Sequence, residues 1–175
     1  LDETGIERRR RAVRKLAFIA PLAVLLAAAG GAHAQPDSID VAWGPKLQKE
    51  AERLGQREVA QQSERLRQAV ERALASDSAL DGARIELVLS ELKPNRPTIE
   101  QMSRTPGLDG FRSRSIGGAT IEGQATLADG SVQPIRYEWY SHNLSDVRGH
   151  STWTDAERAF SRLASNLAAG RYVTR

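Results

Sequence analysis

The feature that most constrains the fold is a repeated change of hydrophobic period along the chain. Ile39, Val41 and Trp43 alternate with Asp40 and Ala42, the pattern of a strand with one buried face. Leu47, Ala51 and Leu54 then recur at helical spacing, and Leu66, Ala69, Val70, Ala73 and Leu74 continue an apolar stripe. Alternation returns at Ile85, Leu87 and Leu89, at Ile121, Ala125 and Leu127, and at Ile135, Tyr137 and Trp139. The last segment, Ala156 to Ala168, is again helical, with Phe160, Leu163 and Leu167 on one side. A chain that alternates in this way must bury one face of a sheet under one face of each helix. The order β-α-β-β-β-α predicts an α+β, two-layer fold: a mixed four-stranded sheet with two helices on one face. A strand, a helix and a strand in succession predict that the first two strands are parallel.

Punctuation supports these limits. Gly44-Pro45 ends the first strand and opens a helix, and Gly55 marks a bend within the long helical stretch. Asp129-Gly130 is a tight-turn signal between two strands. Gly123 inside a strand predicts close backbone approach or a bulge, and Pro134 predicts a strand that begins at a sheet edge. Thr154 with Glu157 reads as a capping box for the final helix, and Gly170 suits its C-terminal cap. Residues 93–117 lack strand periodicity. Within them Pro97-Thr98 followed by Gln101 predicts a short capped helix through Arg104.

Residues 1–34 read as a secretory signal peptide. Arg8 to Arg11, Arg14 and Lys15 form a basic block, Leu16 to Ala29 is a 14-residue apolar run, and Ala32-His33-Ala34 supplies small residues at a cleavage site before Gln35. The run is shorter than the ~20 residues of a membrane-spanning helix. Arg10-Arg11 fits a twin-arginine signal poorly, so ordinary secretion to the periplasm is expected. Residues 1–12 are expected to be a mis-called start, with Val13 the true one. Cleavage leaves residues 35–175 as one domain, large enough to bury its own core.

Charge follows from that division. The chain holds 25 Lys and Arg against 22 Asp and Glu; residues 1–34 carry six and three of these, leaving 19 of each. The remaining domain is neutral, so composition gives no support for nucleic-acid binding. There is no cysteine, which excludes thiol catalysis, thiolate metal sites and a lipid-modified N-terminal cysteine.

Within the neutral domain, residues 93–117 carry Lys93, Arg96, Arg104, Arg112 and Arg114 against Glu100 and Asp109. Guanidinium forks suit carboxylates and phosphates. Arg96, Arg104, Arg112 and Arg114 are therefore the candidate groups for an anionic envelope component or an acidic partner protein. The competing reading is that they bond local carbonyls and acids to hold an irregular loop. Catalytic patterns are weaker. His142, Asp146 and His150 have a spacing that on a helix would gather zinc ligands, but their neighbours predict a loop. Gly117-Gly118 after Ser115 offers backbone N–H groups to an anion or oxyanion, and Glu100 with Glu122 is a carboxyl pair of no particular pattern. The expected function is a periplasmic accessory or binding protein without a cofactor. A small hydrolase or metal-binding protein is the alternative.

The stretch KPNRPTIEQMSRTPGLDGFRSRSIGGATIEG, the Tyr-Glu-Trp-Tyr strand and the STWTDAERAFSRLASNLA helix together resemble a group of small uncharacterised exported proteins of Gram-negative bacteria. The resemblance runs from about Ile85 to Ala168. It implies envelope location and an α/β fold, and no activity. Many members are lipoproteins; this chain departs from them in lacking cysteine.

Overall fold

The computed structural model describes residues 35–75 and 80–174. The expected signal peptide, residues 1–34, and its cleavage site lie outside the described residues.

The fold is α+β. Among the described residues five strands form one mixed sheet in the order of the chain: β1 (Ser38–Trp43), β2 (Arg84–Lys93), β3 (Gly118–Thr126), β4 (Val132–Tyr140) and β5 (Val173–Thr174). β1 and β2 are parallel, as their helical crossover predicts; β2, β3 and β4 are antiparallel; and β5 is parallel to β4. The crossover is α1 (Pro45–Leu54) and α2 (Gln56–Leu74). The short α3 (Ile99–Arg104) follows β2, and α4 (Thr154–Ala168) precedes β5. α1 packs on β2, α2 on β1, and α4 on β3, β4 and α2.

The expectation of four strands and two helices is thus corrected to five strands and four helices among the described residues. Gly55 adopts φ 94°, a left-handed conformation that ends α1 and lets α2 start in a new direction. α3 is the predicted short helix: Thr98 accepts a hydrogen bond from the Gln101 backbone at 3.1 Å, and the Gln101 side chain accepts from the Thr98 backbone at 3.0 Å. β5 pairs only through Val173 and Thr174, opposite Arg136 and Tyr137, too short a run to show a period.

One core lies between the sheet and the helices. Ile85, Leu87, Leu89, Leu92, Ala119, Ile121, Ala125, Ile135 and Tyr137 face Leu47, Leu54, Leu66, Val70, Phe160, Leu163 and Leu167. Strict alternation from Leu89 would turn Leu92 to the outer face. A register shift between Leu89 and Glu91 inserts an extra residue and returns Leu92 to the core. Gly123 is needed for close approach: a Cβ there would stand 2.1 Å from the Glu86 carbonyl oxygen of the neighbouring strand.

The start of α4 differs from the expected capping box. Trp153 holds the N-cap position without a side-chain cap. Thr154 Oγ1 instead accepts from the Ser151 backbone at 2.8 Å, and Glu157 pairs with Arg65 on α2. The Asp155 amide, one of the helix's orphan donors, is satisfied at 2.9 Å by Asn95 Oδ1 from the loop after β2.

Candidate binding site

Asn95 begins a buried polar network that fixes the loops at this end of the sheet. Asp155 is fully buried in the first turn of α4, where the helix dipole favours a negative charge. Its Oδ2 accepts from Asn95 Nδ2 at 2.5 Å and from Ser141 Oγ at 2.6 Å. Its Oδ1 lies 3.4 Å from Arg158 Nη1 and 3.3 Å from His150 Nδ1. Arg158 Nη1 also stands 3.1 Å from His150 Nε2, while His150 Nδ1, close as it is to Asp155, makes no hydrogen bond among the described residues. The backbone of Asn95 is held as firmly. Its N–H donates to Thr152 O at 2.7 Å and its carbonyl accepts from Ser115 N at 2.9 Å. Gly117 lies against the Asn95 side chain so closely that a Cβ would meet it at 2.6 Å.

Ser141, Asp155 and His150 have the residue types of a hydrolytic triad but not its wiring. The serine donates to the carboxylate rather than to an imidazole nitrogen, so no imidazole base faces its hydroxyl. The cluster is a lock between the 94–117 loop, the 141–153 loop and α4.

The four candidate arginines do not converge. Arg96 is consumed by the backbone: Nε donates to His150 O at 2.5 Å, and Nη1 to Gly110 O at 3.1 Å and Phe111 O at 2.5 Å. It clamps the two loops together, as the competing reading of the sequence holds. Arg104 bonds Glu100 at 2.5 Å, one turn earlier on α3. Arg112 is 90% exposed and 4.0 Å from Asp109. The Asp109 carboxyl is held below the usual range by the backbone N–H groups of Arg112 and Phe111. Arg114 makes no ion pair among the described residues.

Arg114 instead lines a pocket of about 360 Å³ between α1, the end of β2 and the 94–116 loop. Leu92, Pro94, Pro97, Leu108 and Ile116 give it an apolar lining. Arg53 and Arg114 supply two cations against one lining carboxylate, Glu50, while the Lys93 ammonium lies over the Tyr140 ring at 4.7 Å. Glu50 is 4.0 Å from Arg53, and Lys93 bonds Glu91 at 2.9 Å just outside. A larger groove of about 1010 Å³ runs between α2, α3 and Trp153. There Arg57, Arg65 and Arg104 meet Glu52, Glu58 and Glu100, so its charge is balanced. Glu58 is engaged by Trp153 Nε1 at 3.1 Å and by the Ile99 amide at 3.3 Å. The smaller pocket is the one with a charge preference.

The remaining sequence candidates are accounted for by local structure. His142 and Asp146 are exposed on the loop while His150 is buried against Asp155, and among the described residues no three His, Cys, Asp or Glu side chains are placed to hold a metal ion. Gly118 packs under β4, where a Cβ would stand 2.2 Å from Trp139 O. Glu122 lies on the outer face of the sheet, bonded to Ser90 at 3.0 Å, while Glu100 is on α3. Sequence reasoning missed Asn95, Ser141 and Asp155, and it missed Arg53 as a neighbour of Arg114. Among the described residues no helix is long and apolar enough to cross a membrane. Comparison with family models, curated proteins and solved structures finds no match to this chain.

Proposed function

We propose that this protein is an exported accessory module of the cell envelope that binds an amphiphilic anion, a short acyl or aromatic body ending in a carboxylate or phosphate. The observation that carries the reading is the pocket beside Arg114. Its apolar lining takes the body, and the excess of cations from Arg53 and Arg114 over Glu50 takes the head. Its volume lies at the small end of ligand sites, which run from roughly 300 to 1,000 Å³, and suits one chain or ring. Arg96 has a structural part here, since its bonds to Gly110, Phe111 and His150 hold the loop that forms one wall. The membership suggested by the resemblance to exported Gram-negative proteins, and the periplasmic location, belong to the same proposal.

Calorimetric titration tests it. Decyl phosphate is the probe, with decanol and inorganic phosphate as the body and head alone. Decyl phosphate should bind and each half should bind far more weakly. Arg114→Ala should weaken binding by about three- to five-fold, the worth of one partly solvated ion pair. Equal affinity for decanol and decyl phosphate would refute the role of the cations. Export is tested by N-terminal sequencing of periplasmic protein, which should begin QPDSIDVAW.

A further inference from the structure

The two edges of the sheet are protected unequally. At the β4 edge, β5 covers Arg136 and Tyr137, and Pro134 removes a donor. At the other edge, β1 pairs with β2 without a break from Ser38 to Trp43. It has no proline, no lysine and no bulge, and its one charged residue is Asp40.

The free side of β1 can be assigned residue by residue. Gly44 N–H donates to Leu89 O at 3.0 Å, so along β1 the residues of even number direct their backbone groups at β2, the phase differing only before the strand, where Asp37 N–H donates to Ala83 O at 2.9 Å. Ile39, Val41 and Trp43 then direct theirs outward. Gln48 agrees with this, reaching the Trp43 carbonyl from outside at 2.8 Å. The side chains of the same three residues are half-buried. They border a gap of about 320 Å³ between β1 and α2, closed on the helix side by Ala60, Ser63 and Arg67.

We infer that β1 is an intersubunit strand, pairing antiparallel with β1 of a second copy about a two-fold axis at Val41. Self-complementarity selects the second copy as occupant. In this register Val41 faces Val41 and Ile39 faces Trp43 on the helix side, and all three residues are those with outward backbone groups. Asp40 faces Ala42 on the outer side. A one-residue slip would set apolar side chains opposite solvent-facing ones. Centring on Asp40 would set two aspartates side by side, which is unfavourable. The helix strip that comes to the two-fold carries both signs, Glu64 and Arg67. Two five-stranded sheets would thereby become one continuous sheet, with the pocket beside Arg114 left outside the interface.

Sedimentation of the secreted protein over a wide concentration range, combined with amide exchange, tests this. A reversible dimer is expected, in which the Ile39, Val41 and Trp43 amides are protected and lose protection on dilution. Ala42 is exposed and faces Asp40 only across the two-fold. Ala42→Lys should tighten the dimer and Ala42→Asp should loosen it, with about ten-fold or more between their dissociation constants. Val41→Pro removes an outward N–H that β2 does not use and should give a folded monomer. If that variant fails to fold, the Ala42 pair decides alone. A wild type that is monomeric throughout overturns the inference. So does a dimer whose dissociation ignores the sign at position 42, or one in which the three amides exchange freely.

Discussion

Replacing Asp155 by alanine should be among the most damaging single changes in this chain. The carboxylate is fully buried and accepts from Asn95 Nδ2 and Ser141 Oγ. Asn95 is 1% and Ser141 7% exposed, so neither donor can turn to bulk water when the acceptor is removed. A buried donor left without a partner costs about 1–3 kcal/mol. Asn95 keeps a weak alternative in Ser115 O at 3.3 Å, which places its loss at the low end. Arg158 is half exposed and rehydrates, so its ion pair adds little. Loss of a negative charge at the start of α4 adds about 0.3–1 kcal/mol. Against these stands relief from burying the carboxylate itself. The losses sum to about 2–5 kcal/mol before that relief, so a net cost of about 2–3 kcal/mol is expected. Urea unfolding followed by circular dichroism should show a lower midpoint at unchanged slope. A loss below about 1 kcal/mol would refute the view that this cluster locks the loops. Ser141→Ala leaves Asp155 its other donors and should cost much less. The Asn95→Ala and Ser141→Ala changes should be non-additive, because both donors share one oxygen.

Two further outcomes follow from the core and the outer face. Phe160→Ala should cost ~3–5 kcal/mol in the same assay, since the ring is 1% exposed between α4, the sheet and α2; a loss under about 1 kcal/mol would mean α4 is peripheral. Burial pushes the Tyr140 phenol up to about 12, with the 2.8 Å hydrogen bond to Thr120 opposing it only in part. The folded state therefore holds this proton above the ordinary value of about 10, and the resulting stability is present below that pH and lost as pH rises towards 12. Alkaline spectrophotometric titration should show a late tyrosine step that Tyr140→Phe removes.

Much of the fold was legible because the period is strong where one face is buried. Ile85, Leu87 and Leu89 read as a strand, and Phe160, Leu163 and Leu167 as a helix face, because each buries the side that the pattern marks. The Thr98–Gln101 box was legible because both of its bonds are local. What was missed is non-local or too short. The bulge after Leu89 is defined by pairing with β3, and β5 by two residues against β4. The expected box at Thr154 failed for a related reason. A residue sixty positions earlier, Asn95, satisfies the amide of Asp155, and the hydroxyl of Thr154 turns to Ser151.

The candidate site shows the same division between local and long-range causes. Counting charge along residues 93–117 treats each arginine as available, yet a guanidinium is satisfied as well by carbonyl oxygens as by acids. Arg96 meets three carbonyls because Asn95 beside it is pinned to Thr152 and Ser115, which carries its side chain into the junction of the two loops. Arg114, six residues after Leu108, has no such partner among the described residues and lines the pocket. Its cationic companion comes from elsewhere, Arg53 from the last turn of α1. The two line one pocket because β1 and β2 run parallel. The crossover that parallel pairing requires returns the chain over the sheet, and its first helix packs on β2, whose C-terminal end carries Lys93. Arg53 reaches the pocket through the crossover and so has no signature in the local charge of residues 93–117. Its position is a consequence of strand direction, which the period and the intervening helix did specify.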